Sequence, residues 1–256
     1  MNRKTRFILV FAYLGFLAFL VEGSARLAFS IPQFARRLQA NHYYTYRRNW
    51  VQQHQKSGVE VYYTFDRYDP SKGWIPKANL KDVKVFNQKI LNTNSKGLRG
   101  KRDFPYIKNK ETLRILILGD SFTFGDEVSD DETYSHYLQE MLPHTEVINM
   151  GVHGYGHDQM LILLKEEGIK YHPDIVILGF LPLDMPRNLL EFRDFAKPRF
   201  VLDRGELKLT GTPVPRPENI LQWDWAIPRI FDFFSLVYHK VTKVSGLQKK
   251  EMEHIT

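Results

Sequence analysis

The sequence predicts an α/β fold built on a doubly wound parallel sheet, and two observations lead to this fold class. Short, nearly continuous apolar runs at 115–118, 146–150 and 174–180 are typical of strands covered on both faces. Between them lie segments in which apolar residues recur every three or four positions, as in amphipathic helices. Strand and helix therefore alternate from residue 113 to 180, which predicts a parallel sheet with right-handed crossovers.

The helices and the later part of the chain carry their own signals. Ser129 and Glu132 form a capping-box pattern ahead of an amphipathic segment at 134–142. Asp158 is placed to cap the next helix, which follows the second strand. Beyond residue 187, the stretch 200–209 predicts a hairpin with its turn at 203–205, and 223–241 predicts an aromatic-rich helix.

Composition limits the function classes. Hydrophobic residues at 43% and charged residues at 25% are ordinary for a folded chain, and the lack of cysteine excludes disulfides and thiolate chemistry. The net charge of +7 is uneven, because residues 1–110 carry 21 Lys/Arg against 6 Asp/Glu and the rest carry 15 against 23. The basic half predicts a solvated surface, with anionic lipid or acidic polysaccharide as alternatives. Dispersed charges without a recognised module disfavour nucleic acid.

The N-terminus predicts a membrane segment at 1–25. Three basic residues precede an apolar run at 7–21, and a helix extended to Ala25 reaches the length needed to span when Glu22 and Arg26 snorkel. A signal peptide cleaved after residues 23–25 is the alternative, and we favour the uncleaved anchor. Basic residues on both sides nearly balance, so the positive-inside rule does not orient the helix.

Residues 26–110 form a basic preface to the α/β domain at 111–256. An aromatic and basic patch at 42–50 suits a membrane interface or packing against the domain. A strand is expected at 59–65, a turn at 73–76, and a turn-rich segment at 92–100. These features predict an ordered preface rather than a flexible linker.

The candidate nucleophile follows the first strand of the sheet. Ser121 lies just beyond the strand end at Gly119, where ligands of open α/β sheets bind. Gly119-Asp120-Ser121, with 122–125 behind it, resembles the first sequence block of the SGNH (GDSL-type) serine hydrolases. The resemblance implies a flavodoxin-like fold in which Ser121 is the nucleophile and its amide contributes to the oxyanion hole. Asp120 is expected to brace the turn.

Two further stretches support the resemblance. Residues 147–154, which include Asn149, are similar to the second block, whose glycine, here Gly154, donates its backbone amide to the oxyanion. Glycine suits this position because a Cβ would block the approach of substrate. Ahead of Ser121, a Gly-Trp element and an Asn-Ser-x-Gly-x-Arg element resemble those of a membrane-attached branch of the family.

The sequence departs from the family in two places. Leu183 stands before Asp184 where related blocks carry an asparagine whose amide is the other oxyanion donor. The Asp-x-x-His block that supplies the base is missing, so the sheet is expected to be incomplete at the C-terminus. His153, His157 and His254 are the base candidates. A truncated reading frame, a pseudoenzyme and a base from another chain all stay open.

Together with the N-terminal apolar helix, the resemblance implies a membrane-anchored SGNH-type ester hydrolase with its domain on the extracytoplasmic, periplasmic side. The expected substrate is an O-acyl group on a glycan or lipid, and acyl transfer between sugars stays open. The alternative is an inactive domain that binds a glycan or a protein. No cofactor or metal is expected, because HExxH, EF-hand and phosphate-loop patterns are missing. The sequence does not predict an oligomeric state.

Overall fold

A computed structural model describes residues 2–30, 65–85 and 88–219. The chain divides into two compact units, one of residues 1–48 with 221–256 and the other of residues 49–220. The patch at 42–50, most of the predicted strand at 59–65, the helical stretch at 223–241 and His254 lie outside the described residues.

Helix α1 (Arg3–Ser30) is continuous through Glu22. Its stretch Arg3–Ala25 has a mean hydropathy of 2.0, and no residue in the most apolar part of this stretch is buried. Its 23 residues extend for about 34 Å at the helical rise, against roughly 30 Å of bilayer hydrocarbon. The helix is therefore long and apolar enough to span a membrane, as the sequence predicts.

Three parallel strands form the sheet of the second unit: β5 (Leu113–Gly119), β6 (Thr145–Gly151) and β7 (Ile175–Leu178). Their order is β6-β5-β7, so the chain crosses over β5 between the second and third strands. Gly119 is in register with Gly151, which brings the carboxyl ends of β5 and β6 together. The predicted mixed α/β architecture with a parallel sheet is confirmed for these three strands.

Helices cover the two faces of β5 and β6. Ile115 and Ile117 face one side and pack with Leu138 of α3 (Tyr134–Met141). On the opposite side, Leu118 belongs to a core cluster with Met160 of α4 (His157–Glu166). The alternation follows from the period of two along a strand. Between β5 and α3, the chain forms the short helix α2 (Ser121–Phe124).

Strand β7 differs from the sequence prediction of a strand covered on both faces. Its four apolar residues are 36–47% exposed. The four residues of β7 pair in register with β5, beginning at Ile115↔Ile175. However, α3 packs chiefly on β6, and α4 packs on β5. In the described part of the chain, no strand pairs with the outer edge of β7, which explains this exposure.

Short antiparallel pairs surround the sheet. The preface contributes β1 (Asp66–Asp69) with β2 (Gly73–Pro76), and β3 (Val83–Lys84) with β4 (Ile90–Leu91). The prediction of a turn at 73–76 is wrong, because these residues pair with β1 as a strand. Trp74 of β2 is fully buried in the core cluster that also contains Leu118 and Met150. The described part of the preface is thus packed into the α/β unit. The predicted hairpin is confirmed as β8 (Arg199–Asp203) and β9 (Glu206–Thr210).

Candidate functional site

Ser121 opens the four-residue helix α2, directly after the turn that ends β5. The turn is close-packed, because a Cβ on Gly119 would lie 1.9 Å from Thr123 Oγ1. Gly125 ends the helix with φ +83°, a left-handed conformation that favours glycine. Ser121 is half-buried.

Asp120 is the capping residue of α2 and is 1% exposed. Its Oδ1 accepts the amide hydrogen of Phe122 at 3.0 Å, and its Oδ2 lies 3.4 Å from Arg187 Nη1. A carboxylate held in this way fixes the backbone that presents Ser121. These contacts give Asp120 the geometry of a bracing residue.

Asp184 is completely buried beside Asp120, and its Oδ1 lies 2.6 Å from Arg187 Nη1. Burial raises the pKa of the Asp184 carboxyl, Arg187 opposes the rise, and the charge and hydrogen bond of Asp120 add to it, giving a pKa of about 6. Arg187 also donates to the carbonyl of Tyr155 at 2.9 Å. Arg187 thus contacts Asp120 after β5, Tyr155 after β6 and Asp184 after β7. The spacing of three residues from Asp184 is the sequence signal for Arg187, whose role was not predicted from the sequence.

The loop after β6 carries Gly154, which is buried with φ +75°. A Cβ at this position would lie 2.2 Å from Asp194 Oδ2 and 3.3 Å from Trp74 Cζ2. The loop starts beside the serine turn, since Val152 N–H donates to the carbonyl of Gly119 at 3.0 Å. Ser121 and Gly154 therefore leave the carboxyl ends of adjacent, paired strands.

Two backbone donors in this region have no acceptor in the part of the chain that the structure describes. Among the described residues, neither the Ser121 N–H nor the Gly154 N–H donates to a protein acceptor. Buried backbone amides are almost always paired, so the buried Gly154 amide lacks the partner that such a group normally has. An oxygen atom brought to this edge of the sheet would supply an acceptor for these donors.

Asn149 ties the two loops together. Its Nδ2 donates to the carbonyl of Thr123 at 2.7 Å and to Ser135 Oγ at 2.8 Å, while its Oδ1 accepts from Gly151 N–H at 2.9 Å. All of its strong hydrogen-bonding groups are thus used inside the protein. Asn149 holds α2 against the end of β6 and is a positioning residue.

His153 is held in an ion pair with the preface. Its Nε2 lies 2.6 Å from Asp66 Oδ2, and its ring meets that of Phe124 edge-on. Burial acts to lower the pKa of His153, but the charge and hydrogen bond of Asp66, with Asp126 and Asp194, outweigh burial and raise it to about 9. The imidazole is therefore protonated at neutral pH and does not suit the role of a general base.

His157 has the opposite protonation preference. Burial lowers its pKa, Asp158 opposes this shift, and Arg187 adds to it. The ring stacks on Phe180 with centroids 4.9 Å apart, and its Nδ1 faces Asn188 Nδ2 at 3.4 Å. Its Nε2 is buried and has no hydrogen-bond partner among the described residues. Neither His153 nor His157 forms a hydrogen bond with Ser121, so the structure does not join either candidate base to the nucleophile.

The preface supports both candidate loops through residues that the sequence analysis noted only as motif elements. Arg99 is buried, donates to the carbonyls of Gly125 at 3.0 Å and Val128 at 2.8 Å, and stacks over Phe124. It thereby fixes the segment behind α2. Trp74 Nε1 donates to the carbonyl of His153 at 3.0 Å, which fixes the loop of Gly154.

Ser121 and Gly154 belong to no metal-binding cluster among the described residues and line neither of two clefts on this unit. The described residues contain no group of three or more side chains placed to hold a metal ion. Two clefts, of about 420 and 570 Å³, are lined in part by Gly151 and by Asn149 respectively, and neither is lined by Ser121 or Gly154. The side chain of Leu183, which stands where the resemblance implies an asparagine, is 73% exposed.

Compared with known proteins, the chain matches no protein-family model and no curated protein sequence.

Proposed function

We propose that this chain is a serine ester hydrolase of SGNH type that acts on an O-acyl group of a glycan or lipid. The observation that carries the proposal is that the amides of Ser121 and Gly154, at the carboxyl ends of two paired parallel strands, have no acceptor among the described residues. A serine hydroxyl and backbone donors for the developing oxyanion are the groups that acyl transfer requires. The Gly-Asp-Ser resemblance supports the same reaction.

In the proposed reaction, Ser121 Oγ forms a bond to the acyl carbon and its proton passes through a base to the leaving alcohol. The bond between the acyl carbon and the alcohol oxygen breaks. The Ser121 and Gly154 amides stabilise the negative oxygen of the tetrahedral intermediate. Water then cleaves the acyl-serine, releasing the carboxylic acid and restoring the hydroxyl. If a sugar hydroxyl replaces water, the same steps transfer the acyl group.

Asp120 and Asn149 position the two loops in this proposal, and Asp184 acts through Asp120 and Arg187. The base is not assigned, because neither His153 nor His157 forms a hydrogen bond with Ser121. Leu183 cannot donate a hydrogen bond, and loss of one oxyanion donor slows such reactions by about 100-fold to 1,000-fold. These two features favour, as a second candidate, a domain that binds an acylated ligand without turning it over.

A fluorophosphonate probe distinguishes the candidates. We expect the probe to label the full chain, the label to map to Ser121 and the Ser121→Ala variant to lose it. The matched control is Ser95→Ala, which removes an exposed hydroxyl in the preface and should keep the label. An unlabelled chain with an intact near-ultraviolet circular dichroism spectrum would favour the binding domain.

The proposal extends to location. Helix α1 would serve as an uncleaved anchor, and the α/β unit would lie on the extracytoplasmic, periplasmic side, where acylated glycans and lipid headgroups are accessible. The length and hydropathy of α1 support the anchor. The orientation depends on the resemblance to exported hydrolases.

A further inference from the structure

Three large apolar side chains are exposed around the candidate nucleophile. Phe122 is 73%, Phe180 56% and Leu183 73% exposed, and we call these residues the apolar rim. Single exposed apolar residues are normal on a protein surface, whereas a group beside polar binding atoms is typical of a ligand site. The rim therefore requires a specific explanation.

The contacts of neighbouring residues place the rim around α2. Phe122 directly follows Ser121 in that helix. Leu183 directly precedes Asp184, whose buried carboxyl group shares the Arg187 guanidinium with Asp120. Phe180 follows Gly179, and that glycine approaches Thr123 so closely that a Cβ on it would lie 2.4 Å from Thr123 Oγ1.

The chemistry of this edge is divided between two kinds of surface. The Ser121 and Gly154 amides, which donate to no acceptor among the described residues, offer hydrogen bonds, while the rim offers only apolar contacts. Leu183 adds to the apolar part, because it replaces the side-chain amide that the resemblance implies at this position. An ester with an apolar acyl chain matches both parts, since its carbonyl oxygen accepts hydrogen bonds and its chain gains from leaving water.

We propose that the apolar rim binds the acyl chain of the substrate, so that the site prefers an ester of a medium or long acyl chain to an acetyl ester. This inference rests on the proposed hydrolase function of Ser121. An acetyl methyl group is too short to contact three separate side chains, so it leaves most of the rim in water. A longer chain covers the rim while its carbonyl oxygen meets the amides.

The test uses the full chain purified in one nonionic detergent. We expect kcat/KM for p-nitrophenyl octanoate to exceed that for p-nitrophenyl acetate by about tenfold. Phe122→Ser and Leu183→Asn, each a change of an exposed side chain, should each lower this ratio by about threefold or more. Ile107→Asn is the matched control, because Ile107 is 84% exposed and precedes the amino end of β5. Its ratio should equal that of the unaltered chain.

The outcomes separate the inference from the function on which it rests. Hydrolysis that favours acetate, or a ratio that both rim variants leave unchanged, overturns the acyl-chain assignment while the hydrolase stands. If neither ester is hydrolysed and the fluorophosphonate leaves Ser121 unlabelled, both proposals fail. Rim variants that change the sedimentation coefficient and leave the ratio unaltered would show a protein-binding surface, which also overturns the assignment.

Discussion

Trp74 Nε1 donates a hydrogen bond to the carbonyl oxygen of His153 across 3.0 Å, joining hairpin β1–β2 to the loop of Gly154. The connection runs in both directions, because Tyr155 OH donates to the carbonyl of Trp74. The indole is fully buried and also packs against the rings of Tyr155 and Phe195. Trp74 is thus hydrogen-bonded to the residues on both sides of Gly154.

Replacing Trp74 with phenylalanine should weaken this connection. The variant keeps an aromatic ring in the core but leaves the His153 carbonyl without its donor, which typically costs about 1–3 kcal/mol. We expect a lower free energy of unfolding in urea and slower fluorophosphonate labelling of Ser121, with the largest effect on the maximal labelling rate.

Tyr106→Phe is the control for Trp74→Phe. It also removes one aromatic hydrogen-bond donor, in this case to Glu167 Oε1 at 2.6 Å, on a contact that does not involve the Gly154 loop. It should lower stability without slowing the labelling of folded protein. Equal labelling by both variants would show that Trp74 has only a packing role.

The ion pair between His153 and Asp66 predicts a loss of stability at alkaline pH. The folded-state pKa of about 9 lies above the ordinary 6.5 of histidine. The pair's contribution is therefore fully present below pH 6.5 and is lost as the pH rises through 9. Its size is on the order of 3 kcal/mol, and urea unfolding between pH 6 and 10 measures it.

Asp66→Asn provides the comparison for this pH dependence. The amide removes the charge that raises the pKa of His153, so burial should then favour the neutral imidazole. We expect a much flatter stability profile between pH 6.5 and 9. A profile in the unaltered chain that stays level over this interval would contradict the protonated state of His153.

The fold was predictable where local patterns decide it. The apolar run of β5 and the three-to-four spacing in α3 predict their elements because burial imposes these periods. The exposure of β7 was not predictable in this way, because apolar residues such as Ile175 and Val176 are typical of a strand covered on both faces. Composition reports which residues favour burial, whereas exposure depends on which elements lie beside the strand.

The candidate site was partly predictable. Ser121 and Gly154 follow strand ends, and the parallel topology brings such ends to one edge of the sheet. The supporting contacts of Arg99 and Trp74 connect segments more than 20 residues apart in the sequence, and no local pattern encodes such pairings. The raised pKa of His153 likewise depends on Asp66, which lies 87 positions earlier.

The proposed orientation predicts which parts of the chain a membrane-impermeant maleimide reaches in intact cells. The chain has no cysteine, so one introduced residue gives an unambiguous signal. Ile107→Cys, at an exposed position of the α/β unit, should react before permeabilisation. Asn2→Cys, on the other side of α1, should react only afterwards. The reverse order would place the α/β unit in the cytoplasm.

Arg187→Met should destabilise the chain more at pH 7 than at pH 5. The variant leaves the buried carboxyls of Asp120 and Asp184 together without their cation, and such losses cost about 3–5 kcal/mol. The pKa of Asp184 is already raised to about 6, so its stability contribution falls as the pH rises from 3.8 toward 6. Without Arg187 that pKa rises further, which increases the penalty at pH 7.

Urea unfolding at both pH values measures the effect of Arg187→Met. Arg102→Met is the control, because Arg102 pairs with Glu146 and its side chain is 57% exposed. An exposed pair is worth about 1 kcal/mol or less, so the control should lose little stability at either pH. A loss in Arg187→Met that is the same at pH 5 and 7 would argue against the shared burial of the two carboxyls.

Gly154→Ala introduces both a steric overlap and left-handed backbone strain, and Gly205→Ala introduces the strain alone. At Gly154 a methyl group would meet Asp194 Oδ2 at 2.2 Å in a backbone with φ +75°, whereas at Gly205 the φ is +88° and nothing lies within 4 Å. Gly205→Ala should therefore cost only the left-handed strain, about 1–2 kcal/mol. Gly154→Ala should cost more in urea unfolding and should also slow fluorophosphonate labelling of Ser121, because the methyl group displaces the loop that carries the amide. If both variants lost the same stability and labelled equally fast, the close packing around Gly154 would not control the position of its amide.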